Sequence, residues 1–206
     1  MVKKRDVYKD LLEQSRLQSF DTYAKSKNWF RSKAESINRG SLSVVTTIDE
    51  REHVSGIRSL REIGKLFLFN YNPKTKESLP YYDTFPIVFP FNITKTGFLG
   101  LNLHYLPPPY RAVLMDNLYM LANTNDFAKD STRLAKLTYN YLNSQKNLKY
   151  FAPCVKSYLN SHIRSKIAFI PAKEWELALF LPLQRFQKQS EGQVWKDSIQ
   201  AIKKRK

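Results

Sequence analysis

Seven cations stand in a stretch of chain that offers no carboxylate to neutralise them. From Ser131 to Lys173 there is no Asp or Glu, and Arg133, Lys136, Lys146, Lys149, Lys156, Arg164 and Lys166 all fall inside that stretch. The chemistry open to such a set is contact with phosphates. Each Lys or Arg that meets a backbone phosphate releases condensed counterions, which makes binding strong and salt-dependent. Tyr139, Tyr141, Tyr150, Phe151 and Tyr158 interleave with the cations. Rings in that setting can stack on bases, but their spacing also suits a core, and we read them as core first. The seven cations are the candidate nucleic-acid-binding set.

Other chemistry is poorly supplied. His53, His104 and His162 read as isolated from one another and from Cys154. No HExxH, paired CxxC or His-plus-carboxylate metal spacing occurs. His104, beside Tyr105, reads as a hydrogen-bonded sheet histidine rather than a base or ligand. Cys154 follows Pro153 at an expected helix start, where a thiolate is favoured, yet a buried structural thiol is the plainer reading. A lone cysteine excludes an internal disulfide and a cysteine zinc cluster.

Nucleotide hydrolysis would need a phosphate-cradling loop. There is no GxxxxGK[ST], and the chain has only six glycines. A metal-dependent nuclease commonly combines an Asp with a later Glu-x-Lys, the Lys polarising the attacked phosphate. No Glu-x-Lys occurs. Asp49, Glu50 and Glu52 cluster in a linker-like stretch and read as solvated charge. Helix-turn-helix, zinc-finger and RRM signatures are missing too, which favours sequence-independent backbone contact over base reading. The expectation is a non-enzymatic protein with no cofactor, no metal and no small-molecule substrate.

The composition supports a polyanion partner. The 206 residues carry 34 Lys and Arg against 18 Asp and Glu, a net charge of +16, and such a field attracts nucleic acid. Its distribution is uneven: residues 1–63 carry +4, residues 64–130 carry +1 and residues 131–206 carry +11. Apolar residues make up 42% and aromatics 14%, enough for a core and unlike a disordered chain. No apolar run approaches the roughly 20 residues of a spanning helix. MVKKRDVYKDLLEQ lacks the apolar stretch of a secretory signal. A membrane partner is not expected.

These side chains need elements to position them. Val7, Leu11, Leu12 and Ser15, then Phe20, Tyr23, Ala24, Lys27 and Phe30, follow helical spacing, with Arg39-Gly40 as a stop and an extended linker over 40–60. Residues 64–71, 85–91 and 97–106 alternate as strands between turn-forming stretches, Pro86 and Pro90 favouring an edge or bulged strand. Helices return after Pro107-Pro108-Pro109, first with Leu114, Leu118 and Leu121, then from about Ser131, then near Pro153 with Val155, Tyr158, Leu159 and Ile163. Lys166–Ile170 suggests a further strand and 171–182 a short helix. The fold class expected is α+β: a small antiparallel barrel-like sheet flanked by N-terminal helices and a C-terminal helical part. The boundaries are an N-terminal helical arm and linker over 1–63 and a core over 64–206. That core comprises a sheet over 64–106, a basic helical part over 107–198 and a mobile basic tail over 199–206.

Whole segments of the chain carry a resemblance. GKLFLFNYNPKTKESLPYYDTFPIVFPF, GFLGLNLHYLPPPYRAVLMDNL, CVKSYLNSHIRSKIAFIPAKEWELALFLP and VWKDS, over roughly 64–198, resemble virion proteins of the T-even-like tailed myoviruses. Within that group they are most similar to the DNA end protector family. The resemblance implies a virion protein, present in the host cytoplasm during assembly, that binds the ends of packaged double-stranded DNA. It also implies shielding from exonuclease, head completion, and portal or neck proteins as neighbours. It supplies no functional residues. The alternative is a structural neck, tail or baseplate protein whose charge meets acidic protein neighbours.

Overall fold

The aromatic run at Leu66–Phe69 divides its side chains between two faces. Leu66 and Leu68 join one hydrophobic cluster, while Phe67 and Phe69 join another. Period-two alternation in a strand produces this division. Both faces are buried, and the rest of the molecule is arranged to cover them. The computed structural model describes residues 7–18, 23–37, 48, 51–123, 131–144 and 151–204.

The helices are α1 (Val7–Leu17), α2 (Tyr23–Glu35), α3 (Pro108–Asn123), α4 (Ser131–Asn143), α5 (Trp175–Phe180) and α6 (Glu191–Lys203). The strands are β1 (His53–Val54), β2 (Leu66–Leu68), β3 (Tyr82–Asp83), β4 (Ile87–Ile93), β5 (Gly97–Asn102), β6 (Val155–Leu159), β7 (Ile167–Ile170) and β8 (Phe186–Gln187). Among the described residues, six strands form an antiparallel sheet in the order β1-β7-β2-β4-β5-β6, and β3 pairs with β8 separately.

The α+β class holds, with an open sheet. β1 and β6 are its edges, so the barrel-like closure expected from sequence does not form. The two-residue β1 is too short to carry the staggered ladder that closure demands. Instead one face is covered by helical side chains, including Leu11, Phe30, Leu114, Met115, Leu118, Leu142, Trp175 and Val194. The other face is covered by Ile57 and a ring cluster of Phe69, Tyr71, Phe98 and Tyr158.

Two further expectations change, and of the two alternatives for the proline-bearing strand the bulged one holds. Val155–Leu159 is a strand paired along β5, not part of a helix. β4 lies between β2 and β5, so it is central; its prolines are tolerated because the register shifts between Pro90 and Asn92 in a bulge. The C-terminal stretch is helical through Lys203, with Ser198 and Ile202 buried; Arg205 and Lys206 lie outside the described residues. Residues 40–47, 49 and 50 of the expected linker also lie outside them, and His53-Val54 is in the sheet. Gly64 has φ of 76° and its backbone abuts the Ala135 carbonyl of α4. A side chain has no room there, and left-handed backbone favours glycine.

Candidate nucleic-acid interface

The β1–β7 edge of the sheet is where exposed cations meet a concave surface. A groove of about 520 Å³ is lined by Arg58, Lys166, His53, Ser55, Asn160 and Ser165, among others. Its shape follows from anchors on both sides. Ile57 is fully buried in the second cluster, which fixes the loop and leaves the adjacent Arg58 exposed. Asn160 Nδ2 reaches across to the Ile57 carbonyl at 3.4 Å. On the opposite wall, the Arg164 amide donates to the Asn70 carbonyl at 2.8 Å, and the Asn70 amide donates to Ser165 Oγ at 2.9 Å. Those bonds staple the segment entering β7 to the end of β2. Arg164 and Lys166 therefore emerge exposed at the rim.

The seven candidate cations are not on one helical face. Arg133 and Lys136 belong to α4, with Lys136 exposed. Arg164 and Lys166 lie together beside the groove. Lys146 and Lys149 fall outside the described residues. Lys156, expected at the surface, is half-buried on β6, with its Nζ 4.0 Å from the centroid of the Tyr105 ring. Burial lowers its pKa from the ordinary lysine value. Arg58 was missed because its stretch reads as a polar linker. The signal that could have found it is Ile57, an aliphatic residue directly before Arg58 in that stretch.

The remaining polar residues serve the fold. His104 is fully buried, with Nδ1 2.6 Å from Asp83 Oδ2. Burial alone would raise the Asp83 carboxyl; the His104 imidazole and the Phe85 and Arg185 amides outweigh it and hold the carboxyl below its usual range. The bonded-histidine reading of His104 holds, although the residue sits in a tight helical turn after β5 rather than in a strand. His53 Nε2 lies 2.7 Å from the Ile48 carbonyl, and His162 Nδ1 lies 2.8 Å from the Asn72 carbonyl. Cys154 is buried, and burial pushes its thiol up to about 12, the expected structural state. Among the described residues, no three His, Cys, Asp or Glu side chains gather as metal ligands. No described helix is long and apolar enough to cross a membrane.

Comparison with known families places the chain among the DNA-protecting proteins of phages. It belongs to the phage T4 terminal DNA protecting protein family, whose model matches residues 6–198. Comparison with curated proteins and with solved structures gave no match.

Proposed function

We propose that the chain binds the ends of packaged double-stranded DNA without reading their sequence, shields them from exonuclease and completes the phage head. The observation that carries this reading is the cationic groove at the β1–β7 edge of a member of a terminal-DNA-protecting family. Arg58, Arg164 and Lys166 meet backbone phosphates there, and Arg133 and Lys136 on α4, with Lys146 and Lys149, extend the contact. Cations of this kind hold a duplex by its backbone, and backbone contact carries no sequence information directly. Lys156 is set apart from this surface by its burial against Tyr105. Portal or neck proteins are the neighbours in the virion, and the N-terminal helices supply the docking surface, where Leu17 is 85% exposed.

The test is affinity for short linear and for closed circular duplex DNA across a salt series. The expected result is a preference for the linear form and an affinity that falls steeply with salt. Equal affinity for both forms removes end binding. Failure to bind either near physiological salt favours a structural virion role.

A further inference from the structure

A second concave site lies at the opposite sheet edge from the groove, beside β6. A cleft of about 470 Å³ has Tyr71, Tyr81, Tyr105, Tyr158, Lys74 and Lys156 in its lining, a size within the roughly 300–1,000 Å³ range of small-ligand sites. The rings of Tyr81 and Tyr105 are 6.0 Å apart, and those of Tyr71 and Tyr158 are 4.9 Å apart. Tyr71, Tyr105 and Tyr158 are buried in the core, while Tyr81 is half-buried beside the cleft.

The cleft is built in advance of any occupant. Lys188 Nζ donates to the carbonyls of Lys76, Glu77 and Leu79 at 2.7, 2.9 and 3.0 Å. That clamp holds the turn carrying the outer wall. The Leu159 amide donates to the Tyr71 hydroxyl at 3.1 Å, fixing that ring.

Its electrostatics suit an anion. The half-buried Lys156 ammonium lies over Tyr105 and has no carboxylate partner among the described residues. A cation held partly out of water attracts an anion more strongly than one fully hydrated. Asp83 also borders the cleft, but its two oxygens take four donors: the Phe85 and Arg185 amides, Asn102 Nδ2 and the His104 ring. Its charge is satisfied from within. Lys74 is exposed at the rim.

A half-buried ring beside two lysines fits a flat, anionic ligand. We propose that the cleft seats the terminal nucleotide of a DNA strand, its base against the half-buried Tyr81 and its phosphate on Lys156 and Lys74. The inference rests on the end-binding reading above and gives it a cause: only an end offers a nucleotide that can leave the stack cheaply.

The test places 2-aminopurine, a fluorescent base, at the last or at an internal position of a linear duplex, with closed circular duplex as reference. The expected result is a change in emission on binding for the terminal probe only, and comparing 5′ with 3′ placement shows which terminus enters. Lys74→Gln and Tyr81→Leu each reduce the preference for linear over circular DNA about tenfold, the scale of one lost stacking or phosphate contact. Affinity for the circular form stays unchanged. Lys74 is exposed in a turn, so that variant keeps the fold whatever happens to Tyr81→Leu. If both folded variants keep the end preference and the terminal probe stays silent, the cleft assignment is wrong and end binding survives. If the protein does not distinguish linear from circular DNA, both fall together.

Discussion

At the scale of single residues, the burial of charge decides most of what the sequence concealed. Arg111 is 2% exposed and donates to three carbonyls: Nε to Leu106 at 2.7 Å, Nη1 to Leu179 at 3.0 Å and Nη2 to His104 at 3.1 Å. An arginine reads as exposed by default, so nothing in the sequence marks it as the tie between α3, α5 and the turn after β5. The Asp83–His104 pair is similarly hidden, its members 21 residues apart. It has a consequence for acid stability. The folded carboxyl is held below the ordinary aspartate value of 3.8, so its contribution is full above that value and is lost as pH falls through the folded pKa. Urea unfolding of the wild type is therefore expected to show stability declining below about pH 4. Asp83→Asn is expected to lose about 3–5 kcal/mol at neutral pH, as removal of one member of a buried pair does. The variant should also lack the part of the acid-dependent decline that Asp83 supplies. Equal acid sensitivity in the two proteins would assign the decline to other carboxylates.

At the scale of elements, the closest packing lies where strand meets strand. A Cβ on Gly97 would collide with the backbone carbonyl of Tyr158 in β6, whereas one on Gly192 in α6 would meet nothing within 4 Å. Gly97→Ala is expected to push β6 from β5 at a cost of about 1–3 kcal/mol or more, lowering Tm by several degrees. Gly192→Ala is expected to leave stability unchanged or raise it by a few tenths of a kcal/mol. Thermal unfolding of the two variants side by side checks both. The same strand shows why part of the fold was illegible. Val155, Tyr158 and Leu159 satisfy helical spacing, but five residues cannot separate a period of 3.6 from one of two. Pro153 suits a helix start, and the pairing to Gly97–Leu101 that decides for a strand lies more than fifty residues away. By contrast, α1, α2, α3, β2, β4, β5 and β7 carried their patterns within their own segments, and each was legible. Closure into a barrel was not, because it depends on edge strands that leave almost no local signal.

At the scale of the whole molecule, net charge pointed to a polyanion but not to its seat. The acid-free stretch from Ser131 to Lys173 is continuous in sequence, but the fold divides its described part among a helix, two strands and their connections. Lys136, Lys156, Arg164 and Lys166 therefore arrive at different surfaces. Lys166 lines the groove with Arg58, which comes from about a hundred residues earlier, and the exposed Arg164 stands between the lining residues Ile163 and Ser165. That convergence makes the groove testable as a unit. Each phosphate contact contributes about 0.9 to the slope of log affinity against log salt on B-form DNA. Replacing Arg58, Arg164 and Lys166 together by Gln is expected to flatten the slope by about 2–3 and weaken linear and circular duplexes alike. The side chains of all three are exposed, so unfolding is not the expected cause of a loss. The ratio of linear to circular affinity should stay at its wild-type value, because these residues grip backbone and the β6 cleft is untouched. A flattened slope with an unchanged ratio would assign grip to the groove and leave discrimination of ends to another surface. A ratio that collapsed with the slope would place end recognition in the groove itself. An unchanged slope in the folded variant would move the phosphate contacts to α4 and the segment that follows it.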